Sequence, residues 1–146
     1  RHNAMNSISP IHIELEGTPK EVRRALLTLR NRLADGQKEA VNAGILEIVL
    51  GEVLNNVVEH ALTGRKDGRI ALTCDHSEQC WSVLVRDNGM PMPDHNLPSG
   101  IAPEVDLALE DLPEGGFGWS MVRMLARNIQ YQRSKGWNSL SFQIVG

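Results

Sequence analysis

Gly51-Glu52-Val53-Leu54-Asn55-Asn56-Val57-Val58-Glu59-His60-Ala61 is the stretch on which the reading of this chain turns. Extended upstream to Leu46 and Leu50, it repeats apolar residues at helical spacing: Leu46, Leu50, Val53, Leu54, Val57, Val58 and Ala61. At roughly 100° per residue these occupy one face, the face a core would take. Glu52, Asn56 and His60 step four residues at a time and form a polar row along the edge of that face. A carboxylate, a carboxamide and an imidazole beside a core are costly without partners. Taken alone, the row is the solvated stripe of a surface helix. It gains meaning from two places downstream, an Asp-x-Gly at the end of a strand and a glycine-rich turn that opens a helix.

Working outward toward the N-terminus, Thr18-Pro19-Lys20-Glu21 is a helix start, with Thr18 as N-cap, Pro19 at the first helical position and Glu21 reaching back. Val22, Ala25, Leu26, Leu29 and Leu33 make one apolar stripe, and Asp35-Gly36 stops the helix. Arg23, Arg24, Arg30 and Arg32 lie off that stripe and read as a solvated face that could also meet an acidic protein partner. Before this helix, Ser7 to Glu16 alternates as a short strand that Pro10 places at an edge or makes irregular. The helix carrying the polar row is expected from about Lys38 to Leu62.

Toward the C-terminus, Thr63 to Gly68 is a turn, and Ile70, Leu72 and Cys74 alternate in a strand. Trp81, Val83 and Val85 alternate in the next, and the period of two carries Asp87 to the same side at the strand's end. Five of the seven prolines fall between Asn88 and Gly116. Only Val105 to Leu112 could form a short helix there, and a loop of this length in a compact domain is usually functional, often a lid, or else disordered. A helix follows Gly115-Gly116-Phe117-Gly118, with Met121, Val122, Leu125 and Ala126 inward. Ile129 to Arg133 and a final alternation of Leu140, Phe142 and Ile144 predict two closing strands. The order predicts an α/β fold, an α+β two-layer sandwich with a mixed, mostly antiparallel sheet and three helices on one face.

The 146 residues suit one domain, expected over 5–146, with Arg1 to Ala4 reading as an expression remnant. Hydrophobic content of 41% and charged content of 23% are ordinary for a globular protein. A net charge of −3 gives no reason to expect direct nucleic-acid or anionic-lipid binding. Two cysteines make no disulfide framework, and Glu47 and Glu52 interrupt the best apolar run, so a cytoplasmic protein with no membrane span is expected.

The three marked places suggest one chemistry. A helix that begins after glycines presents unpaired backbone N–H groups and the positive end of its dipole, where a phosphate can approach closely. Asp87 can accept a hydrogen bond from an exocyclic amine, and Gly89 leaves room for a flat ring. Asn56 offers a carboxamide oxygen suited to a magnesium ion that keeps most of its waters and bridges phosphates. Glu52, one turn earlier, can take a proton from an attacking hydroxyl or water. An Asp-x-Gly or a Gly-Gly-x-Gly alone is common; their order and spacing together are far more specific.

At these residues the chain resembles the GHKL ATPases, which share the Bergerat fold. Glu52-x-x-x-Asn56-x-x-x-His60, Asp87-Asn88-Gly89-Met90-Pro91 and Gly115-Gly116-Phe117-Gly118 are similar to that family's N, G1 and G2 boxes. The branch it resembles is the small bacterial anti-sigma factors that are also serine protein kinases. The resemblance implies ATP and Mg2+ as cofactors, Glu52 as general base and Asn56 as the magnesium ligand. It implies Asp87 on the adenine amine, Gly89 beside the ring, backbone contacts to the phosphates from Gly116, Phe117 and Gly118, and a lid over 88–116. His60 and Ala61 would border the nucleotide. Where the family often has a threonine near the last strand, Asn138 and Ser139 are the candidates, and Ser139 is carried as a nucleotide-binding residue. The implied partners are an anti-anti-sigma (STAS-like) protein that is phosphorylated and a sigma factor that is sequestered, with a homodimer left open.

Histidine-kinase ATP domains usually carry an amide where Glu52 stands, so Glu52 favours the serine-kinase branch. Pro91 stands at the second glycine of the broad G1 pattern and Trp119 where the G2 box usually has leucine. Those two departures favour the alternative, a non-catalytic nucleotide-responsive binding module that sequesters a regulatory partner. Cys74 and Cys80 could face each other across their hairpin, but packed free thiols are the better reading. Trp81, Trp119 and Trp137 read as core or pocket-wall residues. Arg123 and Arg127 follow the glycine turn and read as surface.

Overall fold

The computed structural model describes residues 8–36, 43–91 and 119–145. Strand β1 spans Ile8–Glu16, helix α1 Pro19–Gly36, and helix α2 Ala43–Asn56, which continues as one wide turn over Val57–Ala61. Strands β2 (Arg69–Ser77) and β3 (Cys80–Asp87) follow, then helix α3 (Trp119–Leu125) and strands β4 (Arg127–Ser134) and β5 (Trp137–Val145).

The five strands lie in the order β1-β2-β3-β5-β4, and all four pairings are antiparallel. Two hairpins, β2-β3 and β4-β5, are joined when β5 docks beside β3. That docking sets Asp87 opposite Asn138 in register. The irregularity expected from Pro10 is present as a register shift between Ile8 and Ile11 in the β1-β2 pairing. Having no N–H, proline cannot donate to the ladder there.

Alternation along β2, β3 and β5 sends one set of side chains into the core and leaves the other set partly exposed. The inward set includes Ile70, Leu72, Cys74, Trp81, Val83, Val85, Leu140, Phe142 and Ile144. They join Leu29, Leu46, Leu50, Val53 and Leu54 of the helices in a single buried cluster. Each fully buried aliphatic or aromatic side chain of this kind contributes about 1.5–3 kcal/mol of transfer free energy. The sheet is therefore covered on one face by the helices and open on the other, the expected two-layer arrangement.

The start of α1 follows the sequence closely. Glu21 N–H donates to Thr18 Oγ1 at 3.1 Å, while the Glu21 carboxylate accepts from Glu16 N–H at 3.3 Å, two residues before the cap. Arg24 donates to Glu21 as well, and Arg30 pairs with Glu47 of α2 at 2.5 Å. Both ion pairs are exposed; the first lies within α1, and the second ties α1 to α2 at their surfaces rather than through the core.

Several expectations need amendment or fall elsewhere. The wide turn at Val57–Ala61 was not anticipated; it closes with Leu62 N–H donating to the carbonyl of Val57, five residues back. Register places Cys74 opposite Val83 and Cys80 opposite Ser77, so the two cysteines do not face one another. Cys74 is buried and both thiols are free. Trp81 is fully buried, whereas Trp137 sits partly exposed under the Arg86 guanidinium, 4.9 Å from the ring centre. Lys38 to Asn42, the segment from Met92 to Gly118 that makes up nearly all of the expected lid, and the side chain of Trp119 lie outside the described residues. Among the described residues no helix is long and apolar enough to cross a membrane.

Candidate functional site

The site is built where the last turns of α2 meet the end of β3. Asn56 closes the regular part of α2 and is only 8% exposed. Its Nδ2 donates to the carbonyl of Glu52 at 2.8 Å, one turn earlier, which orients the carboxamide. Glu52 is half-buried, and its carboxylate accepts no hydrogen bond from the described residues. The other end of the Asn56 carboxamide is its oxygen. A single hard oxygen of this kind fits a hydrated magnesium ion, which needs few protein ligands when phosphates supply others. Among the described residues no cluster of three or more His, Cys, Asp or Glu side chains offers a metal cage.

The polar row breaks after Asn56. The wide turn inserts extra backbone, so His60 lags behind the phase set by Glu52 and Asn56 and lies exposed, with Nε2 3.6 Å from Glu59. The same turn carries the carbonyl of Ala61 toward β3, where it accepts from Met90 N–H at 2.9 Å. A Cβ on Gly89 would stand 2.3 Å from that carbonyl oxygen. Glycine is therefore required by close approach of two backbones, and Ala61 and Gly89 are direct neighbours.

Asp87 ends β3 almost fully buried, at 4% exposure. Its Oδ1 accepts from Gly89 N–H at 2.8 Å and from Asn138 Nδ2 at 2.9 Å. Burial pushes the carboxyl above its ordinary value, opposed by those two hydrogen bonds and by the charges of Arg133 and Arg65. Asn88 pins the turn from the other side: it accepts from Arg69 N–H at 2.8 Å and donates to the carbonyl of Asp67 at 3.0 Å. Asn138 also donates to the carbonyl of Met90 at 2.8 Å, and Arg133 donates to that of Gly89 at 2.8 Å. Asn88, Gly89 and Met90 are thus held by backbone or side-chain partners from the wide turn after α2, from β2 and the turn before it, and from β4 and β5.

The structure brings Ala61, Asp87 and Gly89 together, with Asn56 and Glu52 earlier on the helix whose wide turn ends at Ala61. It does not bring Ser139 to them. With Leu140, Phe142 and Ile144 pointing inward, the even-numbered residues of β5 face the core. Ser139 consequently lines a shallow depression on the open face of the sheet with Arg86, Gln132 and Ser141. The residue that reaches Asp87 is Asn138, a correction that the strand's own period would have given. Arg133 and Tyr131, both donors to Asn138, were not anticipated at all. Gly116, Phe117 and Gly118, expected on the phosphates, lie outside the described residues.

Comparison with known proteins gives the family and the fold. The family described as the histidine kinase-like ATPase domain matches residues 15–144. The chain is 31% identical over 96 residues to the serine/threonine-protein kinase BtrW of Bordetella bronchiseptica, across 66% of each protein. It is also 31% identical over 102 residues to the serine-protein kinase RsbW of Bacillus cereus, across 68% of this chain and 62% of that one. The chain thus spans slightly less than two thirds of the length of these relatives. In fold it is similar to the crystal structure of the RsbU and RsbW domains of a Mycobacterium tuberculosis protein. That likeness has a TM-score of 0.63 at 18% identity and covers 94% of this chain and 32% of the other. With its helix-to-strand seat at Asp87 and Gly89 and a family match over nearly its whole length, this chain belongs to the histidine kinase-like ATPase domain family, of GHKL type.

Proposed function

We propose that this chain is an ATP-dependent serine/threonine protein kinase that acts as an anti-sigma factor and phosphorylates an anti-anti-sigma (STAS-like) partner. The observation that carries the reading is the seat at Asp87 and Gly89, locked against Ala61, with Asn56 and Glu52 on the helix that ends there. Asp87 accepts from the adenine amine, and Gly89 lets the ring lie flat against the turn. Asn56 would hold Mg2+ through its carboxamide oxygen, and the ion when bound neutralises charge on the phosphates. Glu52, half-buried one turn back, takes the proton of the partner's serine hydroxyl as its oxygen bonds to the γ-phosphorus. The bond between the γ-phosphorus and the bridging oxygen breaks with its electron pair leaving on ADP.

The names of the relatives support kinase chemistry; the anti-anti-sigma substrate, sequestration of a sigma factor and a cytoplasmic setting belong to this proposal. So do the single domain over 5–146 and the backbone phosphate contacts of Gly116, Phe117 and Gly118.

Calorimetric titration with ATP and with ADP in magnesium, beside Asp87→Asn, tests the nucleotide site. Saturable binding that the variant loses is expected; no binding by the wild type at millimolar nucleotide overturns the reading. Glu52→Gln then tests the chemistry. It should lower partner phosphorylation by roughly 10²–10⁴-fold, the usual contribution of a general base, while ATP binding persists. Undiminished phosphorylation removes Glu52 from that role. Nucleotide binding by the wild type without transfer to any anti-anti-sigma partner puts the non-catalytic binding module in the kinase's place.

A further inference from the structure

Asn138 has every hydrogen-bonding position of its carboxamide occupied. Its Oδ1 accepts from Tyr131 OH at 2.5 Å and from a terminal guanidinium nitrogen of Arg133 at 2.9 Å. Its Nδ2 donates to Asp87 Oδ1 at 2.9 Å and to the carbonyl of Met90 at 2.8 Å. The residue is 4% exposed at the start of β5, opposite Asp87 in register.

The direction of this chain of bonds is fixed by chemistry. An arginine can only donate, so the end of the carboxamide beside Arg133 must be the oxygen. The other end is then the NH2, and Asp87 Oδ1 must receive a proton from it rather than give one. Gly89 N–H, the second partner of Oδ1, can also only donate. Both hydrogen bonds that the described residues make to Asp87 therefore favour the carboxylate over the acid and fall on the same oxygen. Oδ2 is left as an acceptor for whatever the seat holds.

We infer that Asn138, oriented by Arg133 and Tyr131, is a positioning residue that sets base specificity. It keeps Asp87 an acceptor, so that the seat takes a purine with a 6-amino group and rejects one with a 6-oxo group. The inference rests on the nucleotide reading above and deepens it. A 6-amino group donates to Oδ2, whereas a 6-oxo group sets one acceptor against another in a buried place, where an unmade hydrogen bond is most costly. Burial works against this arrangement by favouring the neutral acid. Asn138 of β5, Gly89 N–H, Arg133 of β4 and Arg65 after α2 oppose it.

The test is calorimetric titration of the whole chain with ATP and with ITP, which differ at that group, in magnesium from mildly acidic to mildly alkaline pH. The wild type should prefer ATP by about tenfold or more, the worth of one unmatched buried hydrogen bond, with a ratio that does not change with pH. Asn138→Asp sets a carboxylate between Arg133 and Asp87. Arg133 keeps the new group ionised, and Asp87 holds the shared proton and becomes a donor. The ATP:ITP ratio should then collapse by about tenfold or more at mildly acidic pH and become pH-dependent. Arg133→Met, on an exposed edge strand, removes one donor that holds the carboxamide oxygen and a cation that favours the Asp87 carboxylate, and should also narrow the ratio. It decides the matter if Asn138→Asp does not fold.

A residue of merely structural importance would weaken both nucleotides alike and leave the ratio flat. The inference is overturned if the folded variants keep the wild-type ratio at every pH, or if the wild type binds ATP and ITP equally. The first result leaves the nucleotide reading standing; the second leaves nucleotide binding standing and removes Asp87 from the adenine amine. Failure of the wild type to bind either nucleotide overturns both.

Discussion

The carbonyl of Ala61 and the α-carbon of Gly89 approach so closely that a Cβ on Gly89 would lie 2.3 Å from the oxygen. Met90 N–H, one residue on, donates to the same carbonyl at 2.9 Å. The contact exists because α2 ends in a wide turn. A regular helical end would leave the Ala61 carbonyl directed along the helix axis rather than offered to β3. The turn thus joins two elements 28 positions apart in sequence at the place where the nucleotide is proposed to sit, a setting in which turns of this width recur.

Gly89→Ala tests that join. The added methyl meets backbone rather than a movable side chain, so the turn must shift. The expected cost is roughly 1–3 kcal/mol of stability, the range for forced overpacking, together with loss of ATP binding. Urea denaturation beside calorimetry measures both, and unchanged values in each would show that the contact is not tight.

Asp87 makes stability depend on pH in an uncommon direction. Its carboxyl titrates above the ordinary value of 3.8 because burial penalises the charged form. Between the ordinary and the raised value the folded chain therefore holds more protons than the unfolded one, and stability falls as pH rises through that window. Above it this contribution is level. Asp87→Asn should remove the decline, visible as a flatter dependence of the denaturation midpoint on pH just above 3.8 than in the wild type. An identical pH profile in the variant would mean that Asp87 is not desolvated as described.

Most of this architecture was legible in the sequence. The alternation of Leu140, Phe142 and Ile144 and of Trp81, Val83 and Val85 marks two strands and their inward faces, and Thr18-Pro19 marks the start of α1. The site was legible in part. Asp87 and Gly89 follow from the period of β3 and the Asp-x-Gly turn. His60 was misplaced because a wide turn leaves no trace in hydrophobic spacing, and only an extra backbone residue distinguishes it from a regular one. Ser139 shares a hydroxyl with threonine, yet the phase of β5 turns it outward and Asn138 inward. Arg133 and Tyr131 reach Asn138 across the β4-β5 hairpin, but that hairpin meets Asp87 only when β5 docks on β3, a long-range pairing that no local pattern encodes.

Leu50 and Leu27 offer a contrast in packing. Leu50 of α2 is fully buried in the cluster between helices and sheet, whereas Leu27 of α1 is 54% exposed. Leu50→Ala should cost about 2–5 kcal/mol, because the close-packed surroundings relax only partly into the cavity. Leu27→Ala should stay within about 0.5 kcal/mol of the wild type. Denaturant midpoints of the two variants, measured at equal slope, check the assignment of the core.

The two cysteines should respond to thiol reagents very differently. Cys74 is completely buried on the core face of β2, and burial alone pushes its thiol up to about 12 from an ordinary 9.0. The reactive species is the thiolate, so Cys74 is chemically inert at neutral pH as well as shielded. Cys80, at the start of β3, is partly exposed. In the native protein at mildly alkaline pH only Cys80 should be modified, with Cys74 reacting on addition of denaturant. The raised thiol also affects the fold. As pH climbs past 9.0 the unfolded chain releases the Cys74 proton while the folded chain keeps it, so stability falls through that range. Cys74→Val, close in volume and without a proton to lose, should flatten this alkaline decline. Equal native reactivity of both cysteines, or a decline that persists unchanged in Cys74→Val, would place Cys74 outside the sealed core.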